Sequence, residues 1–578
     1  MTVPSASPAT ARIRRVVGPL VEVDGAVGTA MNNLVALGAD AIPAETVAIR
    51  DGLITLQAYE YTGGLRPGDP ATLLGHPLSA QLGPGLLGGV FDGLLRPLSS
   101  APTWLTPGGY AQHDERIWSF TPTAAAGEVV SAGSVLGVVR DGNPLEYRVL
   151  VPPGTAGRVE SIAPSGSYPA DAVLATVADV PVSMSVSWPV RVPRPYRDRQ
   201  SRVEVLRTGQ RALDLLFPVA RGGSACVPGG FGTGKTVLLQ QLAKWCDADV
   251  IVYVGCGERG NEMAEIVEQM FALTDPRTGG RLADRTVIIA NTSNMPMMAR
   301  EASIYTGMTV AEFFRDMGYD AVVIADSTSR WAEALREFAS RSGELPAEEG
   351  YPANLASALA AFYERAGSVI TLGGHTGSVT VIGAVSPPGG DLSEPVTAQT
   401  ERFVRCRWTL DRELAYSRHY PAVSWSGSFS RDVEALAAGS ESAGGSGWSA
   451  QRARVVGLLA ESDRLSALTE LVGVETLPGR ERMVILGGRL LREAVLQQSS
   501  LSATDAYSTE EKTAALVDAV LTVVDRAQIT VDSGVPAPLV EELDFGPLIR
   551  AREESGPHDT GVARQRRDGI IALLSELK

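Results

Sequence analysis

The octapeptide GGFGTGKT, residues 229–236, constrains the fold more than any other stretch of the chain. Backbone N–H groups can turn together toward a phosphate only where side chains are small, and Gly229, Gly230, Gly232 and Gly234 meet that need. Lys235 supplies a cation for β and γ oxygens and Thr236 a hydroxyl for Mg²⁺; with Phe231, Thr233 and Val237 they make the candidate nucleotide-binding loop. Such a loop must join a strand to the N-terminus of a helix. The apolar string SACV precedes it, and Leu238, Leu242 and Trp245 recur after it at i, i+4 and i+7. The alternative is a glycine-rich turn without a ligand. Lys235 is the first of only four lysines, before Lys244, Lys512 and Lys578, and the scarcity gives the motif weight.

Residues 201–430 alternate apolar strands with helices: GSACVPG, DVIVYVGCGE, RTVIIAN, YDAVVIADS, SVITL and VTVIGAVS. That alternation implies a mainly parallel sheet covered on both faces, with active groups at the carboxyl ends of the strands. In YDAVVIADSTSR the strand ends in Asp326, placed to hold Mg²⁺ through water. Many buried strands end in Asp merely to cap the next helix, so its weight comes from the phosphate loop earlier in the chain. VGCGERGNE closes another strand with Glu258 and Arg259, ahead of a stripe of Met263, Ile266, Val267 and Met270. Hydrolysis of a phosphoanhydride needs a group that orients or deprotonates water, and Glu258 is assigned that role; the other reading is a helix-N-terminal acid. Arg259 either touches the γ-phosphate, pairs with Glu258 in an empty site, or makes a loop salt bridge. Arg330 joins the same cluster. Tyr420, in RHYPAV, is either a stacking face for adenine or a core tyrosine before a proline turn.

Elsewhere the pattern is different. Short β segments separated by Gly, Asp and Pro make residues 1–75 a small barrel, and residues 76–200 a linker with a β-rich insertion. The insertion has the outline of a lipoyl or biotinyl carrier, but no lysine precedes residue 235, which excludes a carried group. After the Gly/Ser-rich AAGSESAGGSG, residues 431–578 turn helical. A chain of 578 residues suggests roughly three to four domains. No apolar run nears the roughly 18 residues that span a bilayer. The net charge of −15 is spread along the chain; it speaks for solubility and against general nucleic-acid binding. Cys226, Cys246, Cys256 and Cys406 lack CxxC spacing and read as buried free thiols in a reducing cytoplasm, and five scattered histidines form no metal cluster. The N-terminal MTVPSASPATARIRR lacks the apolar core of a secretory signal and reads as a short disordered lead-in.

Seven strings, GPGLLGGVFDGLLRPL, TGQRALDLLFPVARGG, PGGFGTGKT, GCGERGNEM, ADSTSRWAEALRE, EEGYPA and TVIGAVSPPGGDLSEPVT, give the chain from about residue 12 to 530 a close resemblance to the catalytic A (alpha) subunits of V/A-type rotary ATPases. The resemblance implies a multidomain chain: an N-terminal β-barrel, a β-rich insertion absent from F-type β subunits, a RecA-like α/β nucleotide-binding domain and a C-terminal helical domain. It further implies ATP and ADP as substrates, Mg²⁺ as cofactor, and an alternating A3B3 hexamer with non-catalytic B-type subunits. A central shaft, peripheral stalks and an ion-conducting membrane sector complete the expected assembly, which places the chain in the cytoplasm, peripheral to a membrane, with no nucleic-acid partner. Family roles fall on Lys235 and Thr236 for phosphate and Mg²⁺, Glu258 as catalytic acid, Arg259 near the γ-phosphate and Asp326 toward Mg²⁺. The chain departs from the family at three places. Thr233 stands where eukaryotic relatives often carry cysteine. Ser499, Ser500 and Leu501 replace Asn-Ala-Phe beside the adenine pocket. The stretch SGSFSRDVEALAAGSESAGGSGWSA replaces a denser aromatic and acidic one. Two other functions compete with a catalytic motor subunit. A non-catalytic ring member would not need Glu258. A RecA-like export ATPase or termination helicase is disfavoured by the insertion, the helical tail and the acidic balance.

Overall fold

The computed structural model describes residues 10–24, 29–99, 116–140, 145–200, 203–275, 277–343, 345–442 and 447–577. Of the expected disordered lead-in, residues 1–9 lie outside the described residues, and the strand Thr10–Val17 takes up the rest. The chain forms two compact units, one of residues 1–201, 248–385 and 393–403, the other of residues 202–247, 386–392 and 404–578.

The first unit begins with a closed six-stranded barrel over Thr10–Val17, Leu20–Asp24, Asn33–Leu37, Ile42–Arg50, Leu53–Ala58 and Pro70–Pro77. Alternation is the reason these residues close on themselves: Val21, Val23, Val35, Leu37, Ile54 and Leu56 are buried, while Glu22, Ala36 and Thr55 between them are only partly so. The β-rich insertion follows as two four-stranded sheets. One contains Ile117–Pro122, Val135–Val139, Tyr147–Leu150 and Gly166–Pro169; the other contains Val129–Val130, Gly157–Ile162, Ala175–Val177 and Val180–Val182. The chain enters through Ser79–Leu82 and leaves through Val186–Pro189, and these two strands pair antiparallel. Tyr319 donates through its hydroxyl to the Glu146 carbonyl at 2.7 Å, fastening the insertion to the α/β part of the same unit.

That α/β part is a parallel sheet in the order Thr376–Val385, Asp320–Asp326, Val250–Glu258, Thr286–Thr292 and Val90–Phe91. Its strands are buried on both faces, as apolar runs such as VIVYVGC and AVVIA require. Gly367–Ile370 adds an antiparallel neighbour to Thr376–Val385. The edge strand Val90–Phe91 comes from the GVFDGLLRPL stretch, which the sequence pattern assigns to a linker; two residues are too few to show a period. Gly93 explains part of that stretch, because a Cβ there would stand 2.3 Å from the Ala299 carbonyl oxygen. The helix Met297–Asp316 is buried along nearly its whole length. Its charges are paired accordingly, Glu312 with Arg365 at 2.7 Å and Asp316 with Arg194 at 2.7 Å.

In the second unit the buried strand Ser224–Pro228 runs parallel to Cys406–Arg407, which pairs antiparallel with Phe429–Ser430. Val205–Leu206 and Val219–Ala220 form a further antiparallel pair, and the C-terminal part is helical: Trp448–Val472, Gly479–Leu491, Glu510–Asp532, Gly546–Glu554 and Gly561–Glu576. The helix Val433–Ser442 already runs through AAGSES, so helical structure begins before the Gly/Ser-rich stretch ends; residues 443–446 lie outside the described residues. All four cysteines are buried thiols, as their sequence setting indicates.

Candidate nucleotide site

The loop 229–236 leaves the carboxyl end of Ser224–Pro228 and enters the helix Lys235–Trp245. Gly232 (φ 80°) and Gly234 (φ 83°) lie in the left-handed region, where a side chain would be strained. Gly229 needs its hydrogen for another reason, since a Cβ would sit 2.8 Å from the Thr233 hydroxyl and 2.9 Å from Leu410 Cβ. Thr233 is buried, and its hydroxyl donates to the Gly230 carbonyl at 2.9 Å, bracing the turn. The helix starts from Gly234 with no side-chain cap, so its amino end offers backbone donors and the positive end of its dipole to an anion. Lys235 folds back across the loop. Its Nζ donates to the Gly229 carbonyl at 3.0 Å and to the Ser386 hydroxyl, oxygens that stand where a phosphate would compete for the ammonium.

Thr236 is partly buried at the first turn and Val237 is exposed. Leu238 and Leu242 are buried as their spacing requires, with Leu239 and Ala243 beside them; Trp245 is only partly covered and stacks on Tyr507, ring centroids 5.2 Å apart. Phe231 projects from the loop, 95% exposed. Tyr420, 41% exposed, is not a core tyrosine: a Cβ on Gly234 would lie 3.2 Å from its Cε1, so the ring sits against the last glycine of the loop.

The first unit carries the two strand-end acids. Asp326 ends its strand opposite Gly255, so Glu258 projects three residues further along the neighbouring strand. Asp326 is buried, and its Oδ2 accepts from the Tyr253 hydroxyl at 3.0 Å. Burial, then the charge and hydrogen bond of Asp326 and the charge of Glu258, hold the Tyr253 phenol well above its ordinary pKa, so it remains a donor. Between Cys256 and Glu258 the register against Thr286–Thr292 slips, forming a bulge. Gly257 makes the bulge possible with φ 74°, and a Cβ there would lie 2.9 Å from Arg330 Cβ and 3.1 Å from Arg300 Cδ. Bulges of this kind re-aim a side chain, here that of Glu258. The Glu258 carbonyl accepts from Ser293 N at 2.8 Å, which fixes its backbone.

Arg259 is exposed at the start of the helix Gly260–Ala272, and its ion pair, at 3.8 Å, is with Glu262; Glu258 is the partner its sequence position suggests. In that helix Met263, Ile266 and Met270 are buried and Val267 partly so. Arg330 pairs with Glu333 at 2.9 Å, and that hydrogen bond raises its pKa further. The structure thus puts Arg330 beside the bulge that carries Glu258. It also adds residues that no motif marks. Arg300 donates to the Ser293 carbonyl at 2.8 Å and keeps a buried, unpartnered Nε. Ser386 was legible only as the residue after a strand, a position where active groups collect.

A hydroxyl at Thr236 and carboxylates at Asp326 and Glu258 are hard oxygen donors, the chemistry Mg²⁺ selects. Among the described residues no group of three or more His, Cys, Asp or Glu could hold a metal unaided.

A glycine phosphate loop opening a helix, together with parallel strands that end in carboxylates, defines a P-loop nucleotide-binding protein of the RecA-like kind. Four family models match along the chain. They are the ATP synthase alpha/beta family beta-barrel domain (residues 13–75), the ATP synthase alpha/beta subunit barrel-sandwich domain (110–191), the ATP synthase alpha/beta family nucleotide-binding domain (209–430) and the C-terminal domain of V and A type ATP synthase (440–537). The V-type ATP synthase alpha chain of Nitrosococcus oceani is 47% identical, with 93% of each chain covered. The matching subunit of the A-type ATP synthase of Methanopyrus kandleri is 46% identical, with 92% of each covered. A solved structure of the assembled ATPase EscN, from the type III secretion system of enteropathogenic E. coli, superposes with a TM-score of 0.64 at 21% identity, covering 89% of this chain and 100% of that one; this is a likeness of fold. The chain belongs to the family of V/A-type ATP synthase alpha chains.

Proposed function

We propose that Lys235, Glu258 and Asp326 form the working set of a phosphoanhydride-cleaving site in this chain. As a member of its family the chain is an ATPase/ATP synthase subunit that binds ATP and ADP and works assembled with other subunits of the enzyme. Gly229, Gly230, Phe231, Gly232, Thr233, Gly234 and Val237 shape the phosphate cradle, whose backbone N–H groups bind the β and γ oxygens, and Lys235 leaves the Gly229 and Ser386 oxygens to meet them. Tyr420 stacks on the adenine. Glu258 orients and deprotonates the water that attacks the γ-phosphorus in line. Arg259 and Arg330 exchange their glutamate partners for γ-phosphate oxygens, and an arginine from a neighbouring subunit supplies the remaining positive charge. Thr236 and Asp326 would hold Mg²⁺, which would supply Lewis-acid neutralisation of the phosphate oxygens.

The finer assembly belongs to the same proposal: three such chains alternate with three B-type subunits around a central shaft, held by peripheral stalks and coupled to proton or sodium flow through a membrane sector. No helix among the described residues is long and apolar enough to cross a membrane. In this proposal the coupling runs through partner subunits at the cytoplasmic face. The functional division follows residues 1–75, 76–200, 201–430 and 431–578. The observation that supports this catalytic reading is the bulge at Gly257, a register slip in a buried strand immediately before Glu258. Glu258→Gln in the assembled complex should lower kcat by about a hundredfold or more while nucleotide binding persists. Unchanged turnover would reassign the chain as a nucleotide-binding scaffold.

A further inference from the structure

The second unit contains a buried polar network that phosphate chemistry does not use. Arg211 opens the short helix Arg211–Leu216 and is fully buried, as is Asp505; the two pair at 2.7 Å. The guanidinium uses every edge: Nε donates to the Val495 carbonyl at 2.7 Å, Nη2 to the Gln497 carbonyl at 2.6 Å, and Nη1 to both Asp505 and the Ser508 hydroxyl at 2.7 Å. The Arg211 backbone N–H donates to Gln498 Oε1 at 2.8 Å, and Gln498 Nε2 donates to the Gly209 carbonyl at 2.9 Å. Asp505 Oδ2 accepts from Ser499 N and from Arg552, each at 2.8 Å.

These bonds clamp both ends of a short arch, residues 497–505. From one end the Gln498 backbone N–H donates to the Tyr420 carbonyl at 2.7 Å, and the Tyr420 ring rests on Gly234. At its crest the arch presents Leu501, 97% exposed. Beyond the other end, Lys512 Nζ spans the carbonyls of Thr504, Arg552 and Ser555 at 2.8–2.9 Å. Burying charges costs more than an apolar core of the same size, so their return lies in fixing one geometry. The geometry fixed here is that of Tyr420 and Leu501.

We propose that Arg211 and Asp505, acting through Gln498, are positioning residues for the base of the bound nucleotide: they set the Tyr420 stacking face through the arch that also carries Leu501. The proposal rests on the reading of Tyr420 as the base-stacking residue. Its consequence is a division of labour, in which this network governs how well the base is held and leaves the phosphate cradle alone.

The test uses the assembled complex. Arg211→Lys keeps the charge and loses the fork; Gln498→Leu leaves the buried ion pair intact and removes the side-chain bonds to the Arg211 N–H and the Gly209 carbonyl, so it remains informative if the first variant does not assemble. Each should raise KM for ATP about fivefold and keep kcat within about twofold, the loss expected when a stacking face is misplaced. Inhibition by inorganic tripolyphosphate, which has phosphates and no base, should not change. An unmoved KM, or tripolyphosphate inhibition that weakens in step with KM, overturns the proposal. Tyr420→Ala is measured alongside. If it leaves KM unmoved, the stacking reading itself is wrong; if it raises KM while the other two variants do not, the positioning role alone falls.

Discussion

His419 stands one residue before Tyr420, and its imidazole is kept neutral. Burial, reinforced by the nearby Arg492 and Arg552 guanidinium groups, lowers its pKa to about 4. An unfolded histidine titrates near 6.5, so between about 4 and 6.5 the unfolded chain binds more protons than the folded one. Stability from this group is therefore complete above about pH 6.5 and is lost as pH falls toward about 4. His419→Gln, which cannot titrate, should remove up to about 3 kcal/mol of that pH dependence. Urea unfolding of both proteins across pH 4–7 measures it, because the carboxylates titrate alike in the two and cancel in the difference. Parallel curves would mean that the ring is not held neutral. At this scale the phosphate loop was legible, since its chemistry admits few residue types at fixed spacing. Arg300, Ser386 and Gln498 were not: Arg300 lies against Gly257, Ser386 meets Lys235 and Gln498 meets Arg211, all across long stretches of chain, and a lone Arg, Ser or Gln carries no spacing signal.

Among the elements, the strand Val250–Glu258 shows what periodicity reveals and what it hides. Its run of apolar residues announces a buried parallel strand, and the acid after it marks a strand end. The bulge that aims Glu258 is invisible in that pattern, because one slipped pair leaves the hydrophobic run intact. The same limit applies to Val90–Phe91, which is too short to show alternation and gains its place only by pairing with Thr286–Thr292. Gly257 is the element's sensitive point. Gly257→Ala would place a methyl 2.9 Å from Arg330 Cβ at a φ of 74°, so the bulge must flatten or Arg330 must shift. The expected result is a kcat reduced about tenfold or more with nucleotide affinity near normal, read by steady-state kinetics beside equilibrium nucleotide binding. A kcat equal to that of the parent protein would show that Glu258 does not depend on the bulge.

Across the whole molecule the four kinds of local pattern, alternating barrel strands, Gly- and Pro-spaced β runs, buried strands between helices, and helical periodicity, were each long enough to declare the fold class. The sequence does not show that the loop-bearing segment 202–247 forms one compact unit with the C-terminal helices, because that depends on buried polar contacts such as those of Arg211. The charge balance around the proposed chemistry bears on how complete one chain is. Lys235 is the only lysine in the loop, Arg259 and Arg330 are half or more exposed and each is paired with a glutamate, and a cleaving γ-phosphate gathers more negative charge than these offset. An arginine from a neighbouring subunit, worth about a thousandfold or more in related phosphoryl transfers, would supply the difference. The purified chain should therefore bind ATP yet turn it over at no more than about a hundredth of the rate of the assembled enzyme. Adding the B-type partner subunits should restore the rate, and an arginine-to-alanine series in that partner should locate the donor. Full turnover by the isolated monomer would sink the shared-site model and make this chain self-sufficient as an ATPase.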